Sequence, residues 1–271
     1  MKWIAVILMI LDHIGHYFND SIISIDMRYY MILRSVGRLS FPVFAYYVGV
    51  GCGRTRSKIK YFLRMTVFAA LSEFLMEFTA NQTGQSRGHM NVMLTFALSM
   101  ILIFSWESFI ESWHRLDDGQ FLASTTGRNR TLNRKVLWDF IVLSGTVVLM
   151  FASLFASHFF KTDYGIYGVL TVFMFYYVNK NIRKSALPLR QDRQAFFAFL
   201  IGFSFINFIW HLIAPAIHAP VQSLSVLSVL LLLLEPKAKE RPGIVSKYFF
   251  YIFYPLHCCL FMLLNYWMNN S

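Results

Sequence analysis

Asp12 and His13 stand side by side in the stretch AVILMILDHIGHYF, residues 5–18, with His16 one helical turn further on. An imidazole, which ordinarily titrates just below neutrality, can take a proton from a nucleophile, and a nearby carboxylate can stabilise the charge that results. The surroundings make the pair costly, because an acid placed at the centre of a lipid-embedded helix costs about 2.5–3.5 kcal/mol on insertion scales. Adjacent residues on a helix point about 100° apart, so Asp12 does not orient His13; it reaches His16, or a cation on another segment. His16 alone reads as a hydrogen-bonded packing histidine, whereas an adjacent acid and imidazole are hard to explain as packing.

The elements that carry these groups are membrane helices. The chain has 271 residues, of which 56% are hydrophobic and 14% charged, against about one quarter charged in a soluble domain; the composition is that of a polytopic membrane protein. Apolar segments that cross or nearly cross a hydrocarbon core of about 30 Å occur near residues 2–18, 31–52, 59–79, 90–110, 136–156, 164–179, 195–213, 217–234 and 247–267. The expected fold is therefore all-α, a polytopic helical bundle of about nine transmembrane spans, in which Pro42, Pro215, Pro220 and Pro255 mark places for broken or re-entrant helices. Lys2 before the first apolar run resembles a secretory leader, but no small-residue cleavage site follows and Asp12–His13 interrupts the run, so a retained span is expected. Residues 1–271 read as one transmembrane domain without repeats or a soluble insertion.

Every second loop is basic: GRTRSKIKYFLR, GRNRTLNRK, NKNIRKSALPLRQDR and EPKAKERPGIVSK are rich in Lys and Arg, and the loops between them are poor in both. By the positive-inside rule this places the N-terminus in the cytoplasm and the C-terminus outside. The same rule explains the net charge of +11, so no nucleic-acid partner is expected. Cys52, Cys258 and Cys259 have no metal-ligand spacing and read as three buried thiols, with no metal implied. In this topology Asp12, His13, Arg34, Arg38, Glu73, Glu77, His89, Asn91, Thr95, Asp163 and Tyr164 fall in the outer half of the membrane and His257 near its middle. A polar cavity at that depth would collect them, and Asp12 is expected to pair with Arg38, since a charge at depth needs an opposite one.

Six blocks in order, MKWIAVILMILDHIG, RSVGRLSFPVFAYYVGVG, RTRSKIKYFLRM, NVMLTFAL, DYGIYGVL and YFFYIFYPLH, spread over residues 1–257. Together they resemble the TraX family of membrane proteins, named for a conjugation protein that acetylates the N-terminus of pilin. The resemblance implies an acyltransferase-like bundle in the cytoplasmic (inner) membrane that takes acetyl from acetyl-CoA, akin to other membrane acetyltransferases with an intramembrane histidine. It places the family's motif residues on Asp12, His13, Gly37, Arg38, Phe41, Pro42, Asn91, Tyr164, Gly165 and His257. His16 falls outside the pattern, as do residues 107–135 and the region between the seventh and eighth spans.

Acetyl transfer to an amine or hydroxyl requires removal of the nucleophile's proton and stabilisation of a tetrahedral oxyanion. In that chemistry His13 is the expected general base and Asp12 its electrostatic support, with His257, Asn91 and Arg38 as candidates for positioning or oxyanion stabilisation. Nothing in the sequence excludes a covalent acetyl-histidine intermediate. Arg54, Arg56, Lys58, Lys60 and Tyr61 in the first basic loop are expected to hold the CoA phosphates, and Glu73, Asp163 and Tyr164 to face the acceptor, a peptide N-terminus or a glycan. Two other classes fit an intramembrane acid–histidine cluster. A proton-coupled transporter would use it as a relay, although the chain lacks the internal repeat common in transporters. A non-catalytic pilus or secretion assembly factor would lose assembly, and no acetyl mark, when His13 is changed.

Overall fold

Pro42 decides how the second apolar segment folds. Its nitrogen has no hydrogen to give to the carbonyl four residues back, which costs a hydrogen bond inside a helix and none in its first turn. The expected single span over residues 31–52 is accordingly two helices, α2 (Met27–Gly37) and α3 (Ser40–Arg54), with a turn at Arg38 and Leu39. The Arg38 backbone N–H donates to the Arg34 carbonyl to close α2, and the Ser40 hydroxyl opens α3 by donating to the Ala5 carbonyl at 2.8 Å. That bond ties α3 to α1 (Lys2–Phe18).

The computed structural model describes residues 1–18, 26–117, 130–183, 189, 192–213, 222–234 and 244–270. Beyond α3 lie α4 (Lys58–Thr83), α5 (Val92–Asp117), α6 (Arg130–Phe159), α7 (Gly165–Asn181) and α8 (Arg193–Ile213). A 3-10 turn (Leu224–Leu227) then leads into the short α9 (Ser228–Leu232), and α10 (Ile244–Asn270) follows. Among the described residues there are helices and no strands, apart from one isolated bridge between Met90 and Thr162. Pro255, expected to mark a break, lies instead inside the continuous helix Ile244–Asn270. Pro215, His218 and Pro220, together with most of the two basic loops over residues 180–193 and 235–247, lie outside the described residues.

Four helical stretches among the described residues are long and apolar enough to cross a bilayer: Val92–Asp117, Val136–Phe159, Arg193–Ile213 and Tyr248–Asn270. The expected nine spans are thus not all of one kind. Helices α1 and α7 have 17 residues each and rise only about 25 Å, short of the hydrocarbon thickness. Helix α4 has 26 residues but carries Lys58, Lys60, Arg64, Glu73 and Glu77. It still exposes an apolar stripe of Ile59, Leu63, Val67, Leu71, Phe74 and Phe78, the pattern of a helix facing lipid on one side. The eighth segment is only a 3-10 turn and one helical turn in its described part.

Helix α3 lies at the centre, where Phe41, Val43 and Tyr46 pack with Val172, Phe175 and Tyr176 of α7 and Phe199 and Phe203 of α8. Its backbone runs close to α7: a Cβ at Gly49 would come within 2.8 Å of the Tyr176 nitrogen and 2.9 Å of the Val172 carbonyl oxygen. Membrane helices associate through such small residues, because lipid supplies no hydrophobic drive between them and close packing must do so. Gly49→Ala is expected to destabilise the protein by about 1–3 kcal/mol through overpacking. Gly145→Ala, where a Cβ meets nothing within 4 Å, should leave thermal unfolding in detergent unchanged or slightly raised; equal melting of the two variants would contradict this packing.

Candidate active site

The two histidines singled out at opposite ends of the chain meet. His13 on α1 and His257 on α10 meet edge to edge, with ring centroids 4.8 Å apart and planes 6° from parallel, and His13 Nδ1 lies 2.7 Å from His257 Nε2. His257 Nδ1 donates to the Phe253 carbonyl at 2.9 Å, four residues back on its own helix, and the Phe253 ring lies near-parallel to the imidazole with centroids 5.0 Å apart. In the neutral ring this leaves His257 Nε2 with a lone pair, so His13 Nδ1 is the donor in the shared bond. His13 Nε2 then keeps its lone pair. A backbone carbonyl thus fixes the tautomer of a second imidazole through the first, the logic by which a catalytic base is oriented. Cys258 Sγ lies beside the pair, 3.5 Å from His13 Nδ1 and 3.7 Å from His257 Nε2.

Asp12 pairs with Arg34, not with Arg38 as expected. Arg34 Nη1 is 2.8 Å from Asp12 Oδ2 and also 3.3 Å from the Asp12 carbonyl. The approach of α2 to α1 that permits this depends on Gly37, where a Cβ would fall 2.2 Å from Asp12 Cβ. Arg38 lies beyond the end of α2, where the chain turns. Its Nη1 donates to the Tyr164 hydroxyl at 3.4 Å and its guanidinium faces that ring. Tyr164 is held in place by stacking on Phe41 at 3.8 Å between centroids. The other Asp12 oxygen, Oδ1, is buried and has no hydrogen-bond partner among the described residues.

Asn91 and Glu73 brace the site from behind. Asn91 donates its backbone N–H and its Nδ2 to Glu73 Oε2 at 2.8 and 2.7 Å, donates Nδ2 to the Ala69 carbonyl, and accepts from the Leu94 N–H to cap α5. Arg87 completes the Glu73 carboxylate at 2.7 Å. Neither residue is left with the spare hydrogen-bonding capacity that a role on substrate would use. The neighbouring Met90 exchanges backbone bonds with Lys161 and Asp163, and the Thr95 hydroxyl donates to the Asp163 carbonyl, which fixes the turn between α6 and α7. Burial pushes the Asp163 carboxyl up to about 6, against the pull of the Arg38 guanidinium.

A cavity of about 640 Å³ joins these groups to the basic end of the bundle, within the size range of small-molecule sites. At one end it is lined by Arg54, Arg56, Lys60, Tyr61 and Arg64, along its length by Met9, Phe44, Met65, Phe96 and Tyr251, and at the other end by Asp12, His13, Asp163 and Tyr164. Arg54, Arg56 and Lys60 are exposed, so this end opens outward. Lys58, expected with them, instead pairs with Glu107 at 2.6 Å, where Lys180 and the Tyr176 hydroxyl also converge at 2.5 Å. Among the described residues the lining does not include Lys58, Glu73, Asn91, Arg38 or His257; the last two touch lining residues instead. Arg64 was not anticipated, although it lies one turn beyond Lys60 in the same basic block. Its guanidinium is held over the rings of Tyr61 and Tyr251, and its buried Nε lacks a partner among the described residues.

The family model described as TraX protein matches residues 1–265, and the chain belongs to the TraX family. No curated protein and no solved structure matches it.

The partner of Asp12 is open to a double-mutant cycle. Asp12→Asn and Arg34→Gln should each cost about 3–5 kcal/mol by stranding one member of a buried pair, and in unfolding experiments the two should couple by about 0.5–3 kcal/mol. Arg38→Gln should show no such coupling to Asp12; a larger coupling to Arg38 than to Arg34 would contradict the assignment.

Proposed function

We propose that this TraX family member is a membrane acetyltransferase that moves acetyl from acetyl-CoA to an amine or hydroxyl, with His13 as the general base. The observation that carries the reading is the continuity of one cavity from exposed cations to an imidazole whose Nε2 is left as the acceptor. Arg54, Arg56 and Lys60 at the mouth suit the phosphates of CoA, and Arg64 supplies a further cation deeper in. The apolar walls of Met9, Phe44, Met65 and Phe96 suit the pantetheine arm, which delivers the thioester to the inner end.

There the acceptor's amine or hydroxyl gives its proton to His13 Nε2 as it attacks the thioester carbonyl. The Tyr164 hydroxyl, oriented by Arg38, donates to the developing oxyanion. Collapse of the tetrahedral species breaks the C–S bond, and the proton held on His13 passes to the departing CoA sulfur. Asp12 uses Oδ2 on Arg34 and has Oδ1 free to accept an N–H or O–H from the acceptor, which orients it for attack. His257 does not touch substrate in this scheme; it positions His13. The basic mouth faces the cytoplasm of an inner-membrane protein by the positive-inside rule, and family membership points to a pilin-related role in conjugation; the acceptor in this reading is a pilin-like peptide N-terminus or a glycan.

The test is the thermal stability of the purified protein with acetyl-CoA, CoA or ATP, since a ligand at 100 times its Kd stabilises the folded state by about 2.7 kcal/mol. Acetyl-CoA and CoA should stabilise and ATP should not. His13→Ala should retain binding and lose transfer by about 10²–10⁴-fold. Arg56→Ala and Lys60→Ala should each weaken donor affinity about tenfold or more, while Lys58→Ala leaves it within about twofold. Absence of any shift at saturating acetyl-CoA would overturn the reading.

A further inference from the structure

We propose that His13, His257 and Cys258 form a binding site for a zinc-class divalent cation, and that the ion occupies the place of the proton shared by the two imidazoles. His13 Nδ1, His257 Nε2 and Cys258 Sγ all lie within 4.8 Å of one another. Tetrahedral zinc, with bonds of about 2.0–2.1 Å to nitrogen and about 2.3 Å to sulfur, separates two nitrogens by about 3.3 Å and nitrogen from sulfur by about 3.5 Å. The two sulfur–nitrogen separations, 3.5 and 3.7 Å, already match, and only the 2.7 Å nitrogen–nitrogen contact must open. That contact is a hydrogen bond, so exchanging its proton for a metal lengthens it in the required direction.

The surroundings meet the other requirements of a metal site. A ligating imidazole normally donates its second N–H to a carbonyl or carboxylate, and His257 Nδ1 already donates to the Phe253 carbonyl. Because His13 lines the cavity, an ion has an entry path to the three ligand atoms. Two imidazoles and a thiolate are a ligand set that suits zinc over the hard cations. On binding, the S–H bond of Cys258 breaks, its proton leaves to solvent, and the metal–sulfur bond forms. The Nδ1 proton of His13 moves to Nε2, so the metal-bound ring has no lone pair left to accept a proton. Binding therefore excludes proton transfer at His13; that inhibitory consequence rests on the acetyltransferase reading, whereas the binding itself does not.

The experiment uses chelator-treated purified protein in detergent, with Co²⁺ as probe and Zn²⁺ as competitor. One equivalent of Co²⁺ should bind with a tetrahedral visible spectrum and a thiolate charge-transfer band, both removed by Zn²⁺. Cys258→Ser should abolish the band and weaken binding at least tenfold, while Cys259→Ser should change neither. X-ray absorption of the wild-type zinc form needs no variant and should show one sulfur and two imidazole nitrogens. Failure to bind, a shell of nitrogen and oxygen alone, or an unaltered band in Cys258→Ser would overturn the site. If the protein also transfers acetyl, Zn²⁺ should stop transfer and a chelator restore it. A protein that binds Co²⁺ through Cys258 but never transfers acetyl refutes the enzymatic reading and leaves the metal site standing.

Discussion

The ion pair between Asp12 and Arg34 is the constraint around which the inner site is arranged. A carboxylate cannot stay ionised in an apolar interior without an opposite charge close at hand, so α2 must come near enough to α1 to bring Arg34 within 2.8 Å. That approach requires glycine at position 37. The chain then turns at Arg38 and Leu39 because Pro42 cannot extend a helix backwards. The turn in its own right sends Arg38 to Tyr164 and lets Ser40 bind the α1 backbone. With α1 held from this side, His13 is presented to α10, and the two imidazoles share one hydrogen bond edge to edge.

Several of the remaining polar groups of the interior fall into closed networks. Glu73 is shared by Arg87 and Asn91, and Glu107 by Lys58, Lys180 and Tyr176. The Tyr167 hydroxyl meets Asn207, Ser225 and Gln222. Such closed networks fix helices to one another where hydrophobic association is weak. Among the buried polar atoms without hydrogen-bond partners in the described residues, Asp12 Oδ1 and Arg64 Nε are the two on side chains that line the cavity. Those are the atoms on which a polar ligand would make its bonds.

Much of this was legible in the sequence, and what was not has local causes. The cost of Asp12 and His13 in an apolar segment marked them as functional, and His257 was drawn in by motif resemblance; the fold joins them through one hydrogen bond. Arg34 and Arg38 are one turn apart, so helical spacing alone cannot separate them as partners of Asp12, and the helix break decides between them. Lys58 and Lys60 are two residues apart on α4, which turns them to different sides, one toward Glu107 and one toward the cavity. Cys258 carried no ligand spacing because its neighbours His13 and His257 come from both ends of the chain. Of the nine apolar segments counted in the sequence, four are helices long and apolar enough to cross among the described residues; the shortness of α1 and α7 was already visible in segments 2–18 and 164–179, whereas the one-sided apolar stripe of α4 emerges from the fold.

The most direct measurement is affinity labelling of the purified protein with bromoacetyl-CoA, which places an alkylating carbon where the acetyl methyl would sit. Mass-spectrometric mapping should find the His13 ring alkylated with loss of bromide, slowed by excess CoA and absent in His13→Ala. Labelling confined to Cys259 or to surface residues, or labelling of His13 that CoA does not slow, would show that the cavity does not bring an acyl-CoA to the imidazole.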